Sequence, residues 1–195
     1  MLNDRSSILS LLRTRRSGRP RELIGPPPTE SELEDILAIA ARTPDHGKLS
    51  PWRFVVVGDD QREALAGLFR SALAIEEPAA LEAKIEKAEN LARSPAALVL
   101  VLSAPVEAHK VPVWEQQLSC GAAAMNLLWG AHALGFVGGW ITGWQAYSPT
   151  VTKAFCGPGE RIAGFAFIGH PGREIEERPR APLDTLVRRW TGSGD

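Results

Sequence analysis

Cysteine is scarce in this chain of 195 residues, which contains only Cys120 and Cys156. The two thiols form no CxxC pair, and this excludes the common zinc and dithiol motifs. The four histidines, at positions 46, 109, 132 and 170, also lack the spacing of metal ligands. We therefore predict no metal site, and we expect Cys120 to be a buried core residue.

The chain also lacks an excess of either charge, since 22 basic and 23 acidic residues give a formal net charge of −1. Such a balance creates no overall field that attracts nucleic acid or an anionic membrane. No segment approaches the ~18 uninterrupted apolar residues of a transmembrane helix, and residues 1–16 lack the apolar run of a secretory signal. We expect a cytoplasmic protein with reduced thiols and without a nucleic-acid or membrane partner.

Hydrophobic residues make up 44% of the chain, and without a linker or repeat we expect one domain over residues 1–195. Mixed helices and a few strands, without a regular βαβ repeat, are typical of an α+β fold. Thr29 and Glu32 form a capping box at a helix start, and Ser148 with Pro149 marks another. Gly135 suits the C-terminal cap of a long apolar helix, which we expect to be buried. The predicted segments are helices over 4–14, 61–74, 78–92 and 114–134, strands over 54–57, 96–102 and 162–168, and an irregular Gly-rich segment over 136–142.

A basic segment, Arg15-Arg16-Ser17, closes the predicted N-terminal helix. Two guanidinium groups and a hydroxyl can hold a phosphate through charge-assisted, bidentate hydrogen bonds. Taken alone, the same cluster is compatible with a solvated helix end, where arginine stabilises the helix dipole, or with a nucleic-acid arm.

Three further segments can carry a ligand site. Arg42 and His46 lie on a turn made by Pro44, Lys110 lies in a loop before the long helix, and the glycines of residues 135–143 allow backbone to approach a ligand closely. A helix terminus, a surface loop and a tight turn are the respective alternatives. The Gly-rich segment is not a dinucleotide-binding GxGxxG, because it follows a helix and has the wrong spacing. No GxSxG elbow is present.

Taken in order, these segments resemble the nitroreductase family, and they are most similar to its compact bacterial NAD(P)H nitroreductase branch. The motifs that carry the resemblance are Arg-Arg-Ser, Arg-x-Pro-Asp-His, Pro-Trp before a strand, His-Lys-Val-Pro-x-Trp-Glu-Gln and Gly-Phe-x-Gly-Gly-Trp, between about residues 15 and 169. The resemblance implies a nitroreductase-like α/β/α sandwich, with a mixed, mainly antiparallel central sheet flanked by helices. It also implies a homodimer formed through long helices, with the tail 171–195 extending over the partner subunit.

The resemblance further implies two FMN sites at the subunit interface. One subunit would hold the cofactor with Arg15, Arg16, Ser17, Trp140, Ile141, Thr142 and, from the tail, Arg180; the other would reach it with Arg42 and His46. Related enzymes carry a basic residue and a serine at the positions of Ile141 and Thr142, so Ile141 can offer only backbone polar groups. The stretch that the branch uses for nicotinamide nucleotide corresponds to Gly130, Ala131, His132, Ala133, Leu134 and Gly135, a helix C-terminus whose dipole disfavours phosphate.

The activity implied by the resemblance is that of an FMN-dependent oxidoreductase. It takes hydride from NAD(P)H and passes electrons, by a ping-pong mechanism, to nitroaromatics, quinones or similar small acceptors. No side chain is expected to be catalytic, although Lys110 and Arg16 can stabilise negative charge on the reduced flavin. The alternatives are reductive dehalogenation or flavin degradation, with residues 74–93 as a short lid, and a flavin-binding dimer without turnover.

Overall fold

The computed structural model describes residues 1–192 and contains seven helices and five strands in that range. The helices are α1 (Ile8–Thr14), α2 (Glu30–Ala41), α3 (Arg62–Glu76), α4 (Glu82–Ala92), α5 (Val113–Ala133), α6 (Pro149–Phe155) and α7 (Leu183–Leu186). The strands are β1 (Leu23–Ile24), β2 (Trp52–Val57), β3 (Ala97–Ser103), β4 (Val137–Ile141) and β5 (Arg161–Pro171). Between residues 1 and 192, no helix combines the length and apolar character needed to cross a membrane.

The five strands form one sheet in which β3 lies between β2 and β5. The long strand β5 also pairs with β4 and, at its C-terminal end, with β1, with Val137 opposite Gly169 and Leu23 opposite Pro171. All four pairings are antiparallel, so the expected antiparallel character is confirmed, and the described residues contain no parallel pair that would make the sheet mixed.

Helices cover both faces of this sheet, and alternate residues of β3 point to the two faces. Leu98, Leu100 and Leu102 pack in one core with residues of α3, α4 and α6. Val99 and Val101 pack in a second core with residues of α2 and α5. Because β3 is buried on both faces, its sequence is a continuous apolar run rather than an alternating one. The α+β sandwich expected from the sequence is therefore confirmed.

Local sequence signals account for several element boundaries. The Thr29 hydroxyl accepts a hydrogen bond from the Glu32 amide, and the Glu32 carboxylate accepts one from the Thr29 amide at 2.8 Å, which confirms the capping box. Ser148 caps α6 with Pro149 in its first turn. Gly135 has φ +100° directly after α5, a left-handed conformation that glycine adopts without strain.

Three sequence predictions were wrong in detail. Residues 136–142 are not irregular, because Val137–Ile141 form strand β4, whose pairing with β5 outweighs the low strand propensity of glycine. Helix α1 begins at Ile8 rather than Asp4, because the Ser7 side chain caps it. The long apolar helix α5 is not buried all round, since Trp114 and Leu118 on its first turns are exposed.

Candidate functional site

The Arg15-Arg16-Ser17 segment forms a turn that the N-terminal residues hold in place. The Arg16 amide donates to Asn3 Oδ1 at 2.7 Å, and the Asn3 amide donates to the Thr14 carbonyl at 3.0 Å. Within the turn, an Arg15 guanidinium nitrogen donates to Ser17 Oγ at 3.0 Å. The sequence-predicted cluster therefore exists as one ordered unit at the end of α1.

Positive charge in this turn is incompletely neutralised. Burial lowers the pKa of Arg15, and the positive charges of Arg180 and Arg16 lower it further, while Glu177 raises it. Arg16 Nε lies 3.6 Å from the Glu177 carboxylate, which is too long for a hydrogen bond, and this buried nitrogen has no hydrogen-bond partner within residues 1–192. A group of cations with an unsatisfied buried donor favours an anion as its ligand.

The Arg15 guanidinium also lies over an aromatic ring of α5. Its central carbon is 5.7 Å from the centre of the Trp129 ring, which is within the range of a cation–π contact. The Trp129 ring thus limits the positions of the guanidinium on one face, and the hydrogen bond to Ser17 limits them at a terminal nitrogen. Both contacts orient the guanidinium before any ligand binds.

Strand β4 packs directly against this turn. The Gly18 amide donates to the Gly138 carbonyl at 3.3 Å, and a Cβ atom on Gly139 would overlap the Gly18 carbonyl oxygen. From the sequence, these glycines allow either a close approach between backbone and a ligand or a tight turn. In this chain, Gly139 instead allows close packing between the strand and the basic turn.

The turn and β4 line a groove of about 580 Å³, which we call the Arg16 groove. Trp140 and Ile141 lie on its wall, and the Trp140 indole is fixed by a 3.1 Å hydrogen bond from Nε1 to the Ala163 carbonyl. Thr142 is exposed beyond the end of β4. The opposite wall is the segment Arg173–Pro179, which includes Glu177, and Arg180 lies 3.6 Å from the Glu177 carboxylate.

A second cavity, of about 600 Å³, continues from this groove past Arg19, Pro20 and Ile141, which line both. We call it the α4 pocket, because Lys87, Asn90 and other residues of α4 form its far side. Its surface is largely apolar, with charged and amide groups at a few points. An apolar cavity that joins a polar groove with a basic turn at its end suits a ligand with an apolar ring at one end and an anion at the other.

Arg19 and residues of α4 also line this site, and they are not among the residues predicted from the sequence. Arg19 follows Ser17 by two residues in the same basic segment, and that proximity was a usable signal. Lys87 and Asn90 gave no signal, because only the tertiary packing of α4 brings them beside residues that lie far away in the sequence.

Arg42 and His46 lie elsewhere on the same chain. Arg42 ends α2 and is exposed, and His46 lines a separate cavity of about 200 Å³ with Glu115. Lys110 is exposed in the loop before α5. The neighbouring His109 packs close to Gly47, where a Cβ atom would lie 3.4 Å from the His109 Cε1 atom. One chain thus brings the arginines of the N-terminal turn together with Trp140 and Ile141, but does not bring Arg42, His46 and Lys110 to them.

The stretch from Gly130 to Gly135 ends α5, and its first half is packed inside the chain. A Cβ on Gly130 would lie 3.2 Å from the Ile36 Cα, so glycine allows α2 and α5 to approach closely. His132 is 1% exposed, and its Nε2 accepts a 3.5 Å hydrogen bond from the Gly138 amide. Burial and the Arg15 charge lower the pKa of His132 to about 4. Ala133 and Leu134 are exposed.

These features define an α+β sandwich with a polar groove that is lined by its basic N-terminal turn and its fourth strand. The sequence model of the nitroreductase family matches residues 12–170, and the chain belongs to that family. It is 38% identical over 179 residues to a Haemophilus influenzae protein named "Putative NAD(P)H nitroreductase", a match that covers 91% of this chain and 95% of the relative.

Solved structures agree with this fold. A nitroreductase-like family protein from Bacillus cereus aligns with a TM-score of 0.80 at 22% identity, over 96% of this chain and 97% of that one. The FMN and NADPH-dependent nitroreductase NfnB from a sphigopyxis strain aligns with a TM-score of 0.70 at 18% identity, over 93% of this chain and 97% of that one.

Proposed function

We propose that the chain is an FMN-dependent oxidoreductase that uses NAD(P)H to reduce nitroaromatics, quinones or similar small acceptors. The observation that carries this proposal is that the polar Arg16 groove, which contains the basic turn, joins the apolar α4 pocket. The names of the Haemophilus relative and of NfnB, which refer to NAD(P)H and FMN, support the same chemistry. Because NAD(P)H is the reductant, we place the reaction in the cytoplasm.

The residues present fit the cofactor. The donor set of Arg15, Arg16 and Ser17 suits a phosphate, and the unsatisfied Nε of Arg16 supplies a further donor. Arg180 lies close enough to Arg15 to lower its pKa and adds positive charge from the tail. In this arrangement an entering phosphate competes with Glu177 for the same cations.

The side chains of β4 would orient the ring end of the cofactor. Trp140 is held by its hydrogen bond to Ala163, and Ile141 offers an apolar surface and backbone polar groups where the groove meets the α4 pocket. Thr142 at the end of the strand adds a hydroxyl. When bound, FMN supplies the redox chemistry, taking hydride from NAD(P)H and passing electrons to the acceptor in ping-pong order.

We further propose that two copies of the single domain assemble, with Arg42 and His46 of each reaching the cofactor of the other. The separation of these residues from the Arg16 groove within one chain supports this arrangement, as do the exposed Trp114 and Leu118 of α5. Residues 173–179 of the tail line the Arg16 groove of their own chain, so only the segment beyond Arg180 would extend over the second copy, a role that the exposed Leu183 and Trp190 fit. Lys110 and Arg16 would stabilise negative charge on the reduced cofactor.

We propose that nicotinamide nucleotide contacts the stretch Gly130–Gly135 only at its exposed C-terminal end. Gly130, Ala131 and His132 are buried by packing within the chain, whereas Ala133 and Leu134 are accessible. A role for this stretch therefore depends on Ala133, Leu134 and the backbone of Gly135.

Steady-state kinetics test the proposed activity. With NADH or NADPH and a nitroaromatic or a quinone, initial rates should give parallel double-reciprocal lines, because product leaves before the acceptor binds. Assays with an aryl halide and with free reduced FMN examine dehalogenation and flavin degradation in the same preparation. Turnover of only these last substrates, or FMN binding without any NAD(P)H oxidation, would overturn the proposed reaction.

A further inference from the structure

Two sequence motifs that lie far apart meet at the start of α5. His46 follows α2 in the Arg-x-Pro-Asp-His motif, and Glu115 lies in the first turn of α5, in the His-Lys-Val-Pro-x-Trp-Glu motif. The Glu115 Oε2 atom is 2.8 Å from His46 Nδ1. This distance is that of a charge-assisted hydrogen bond.

One face of α5 holds the whole turn that carries His46. The Ser119 hydroxyl donates to the Pro44 carbonyl, and Asn126 Nδ2 donates to Thr43 Oγ1 at 2.8 Å. Glu115, Ser119 and Asn126 are four and seven residues apart, and this spacing places them on one side of a helix. The turn is therefore attached to α5 at three successive points.

Other contacts fix the backbone of the turn but not the imidazole. The Asp45 carboxylate accepts hydrogen bonds from the amides of Leu49 at 3.0 Å and Ser50 at 2.8 Å. The His46 side chain is 67% exposed, and within residues 1–192 its only polar partner is Glu115. The orientation of the ring thus depends on that carboxylate.

We infer that Glu115 is a positioning residue for His46. A carboxylate can only accept, so it selects the form of the ring that carries a proton on Nδ1 and leaves Nε2 for a ligand. A carboxylate that orients a functional histidine through its other nitrogen is a recurring arrangement in protein sites. The identity of that ligand, the FMN of a second copy, rests on the proposed function; the pairing itself does not.

The tautomer of His46 gives a direct test on the protein without cofactor. Nitrogen NMR chemical shifts are recorded over a pH series and compared on the alkaline side, where the ring signals no longer change with pH, and His46 is assigned by the signals lost in His46→Gln. The wild type should show the proton on Nδ1, and Glu115→Ala should lose that preference, whereas Glu115→Gln, which keeps an acceptor oxygen, should retain part of it. An unchanged tautomer in Glu115→Ala contradicts the inference.

A double-mutant cycle on FMN affinity tests the consequence. Glu115→Ala should weaken FMN binding by about 3–10-fold in the wild-type background and by less than about 2-fold when His46 is already Gln. Glu34→Ala is the matched control, because Glu34 is an exposed helical glutamate without a hydrogen bond or ion pair within residues 1–192, and it should change nothing. Equal effects of Glu115→Ala in both backgrounds would show that Glu115 does not act through His46. A wild type that takes no FMN would refute the proposed function, while the tautomer would still decide the role of Glu115.

Discussion

At the scale of single residues, the basic turn is defined by three arginines, Arg15, Arg16 and Arg180, that share the carboxylate of Glu177. Arg15 is half-buried between the Trp129 ring and Ser17, and its lowered pKa reflects burial and the neighbouring positive charges of Arg180 and Arg16. Such an arrangement costs stability in the free protein, and the binding of an anion removes that cost. The arginines are therefore better explained by a ligand than by the fold alone.

This explanation predicts different effects for neighbouring arginines. Arg15→Ala should weaken FMN binding by about 10–100-fold, because hydrogen bonds to charged groups contribute about 1.5–3 kcal/mol, and Ser17→Ala by about 2–10-fold. Arg13→Ala, an exposed change half a turn earlier on α1, is the control and should leave the affinity unchanged. Fluorescence titration with FMN measures all three, and circular dichroism verifies that the fold persists. Wild-type affinity in both Arg15→Ala and Ser17→Ala would remove the phosphate assignment.

His132 allows a pH prediction at the same scale. Its pKa in the folded chain is about 4, because it is buried and near Arg15, whereas the unfolded value is ~6.5. Between these values the unfolded chain binds more protons, so the free energy of unfolding should fall as pH falls from ~6.5 towards 4, by at most about 1.4 kcal/mol per pH unit from this group.

Denaturant unfolding from pH 7 to pH 4.5 measures this dependence. His132→Leu should flatten the slope in that window, even though it loses the hydrogen bond to Gly138. His170→Gln, at a half-buried histidine, is the comparison and should leave most of the slope in place. An equal slope in the wild type and His132→Leu would mean that His132 does not titrate as described.

At the scale of elements, strand β4 and the basic turn form one packed unit. Gly139→Ala should destabilise the protein by about 1–3 kcal/mol, because the added methyl overlaps backbone that cannot rotate away. The same change should weaken FMN binding, since relief of the overlap moves the turn that carries Ser17. Gly67→Ala on α3, where a Cβ would meet no atom within 4 Å, should instead stabilise by about 0.5–1 kcal/mol.

Thermal unfolding and FMN titration of both glycine variants test this statement. A Gly139→Ala protein with wild-type stability and affinity would show that the turn does not depend on close packing against β4. Destabilisation without loss of affinity would limit the role of Gly139 to the fold.

Elements with strong local signals could be predicted from the sequence. The capping box at Thr29, the glycine after α5 and the apolar run of β3 are set by nearby residues, and the structure has each of them. Strand β4 was not predictable, because its stability comes from pairing with β5, which is encoded far along the chain. The two-residue strand β1 has no periodicity to detect.

The candidate site divides in the same way. The Arg15–Ser17 cluster was predicted because adjacent arginines and a hydroxyl carry their chemistry in consecutive positions. The α4 pocket was not predicted, since Lys87 and Asn90 become part of a cavity only because α4 packs beside Ile141, which is distant in the sequence. Trp140 and Ile141 were predicted as site residues from the family resemblance, because composition alone would not have selected them.

At the scale of the whole molecule, apolar surface on α5 supports the proposed dimer. Trp114 is 67% and Leu118 is 54% exposed, and both lie on α5, a helix of 21 residues in which Glu115 is the one Asp, Glu, Lys or Arg. Leu118→Glu should convert a dimer into monomers in sedimentation analysis and should weaken FMN binding, because Arg42 and His46 of the second copy are then lost. Leu81→Glu, at an equally apolar and exposed position before α4, is the control. A Leu118→Glu protein that sediments as the wild type does would place the interface elsewhere.

The central claim is that the Arg16 groove, with its basic turn, and the apolar α4 pocket together hold a flavin that NAD(P)H reduces. The absorption spectrum of the purified chain after incubation with FMN and removal of free cofactor tests it most directly. We predict a yellow protein whose flavin bands bleach with NADH or NADPH in the absence of oxygen and return when a nitroaromatic is added. A colourless protein that retains no FMN, or a yellow one whose bands neither nucleotide changes, would contradict the account.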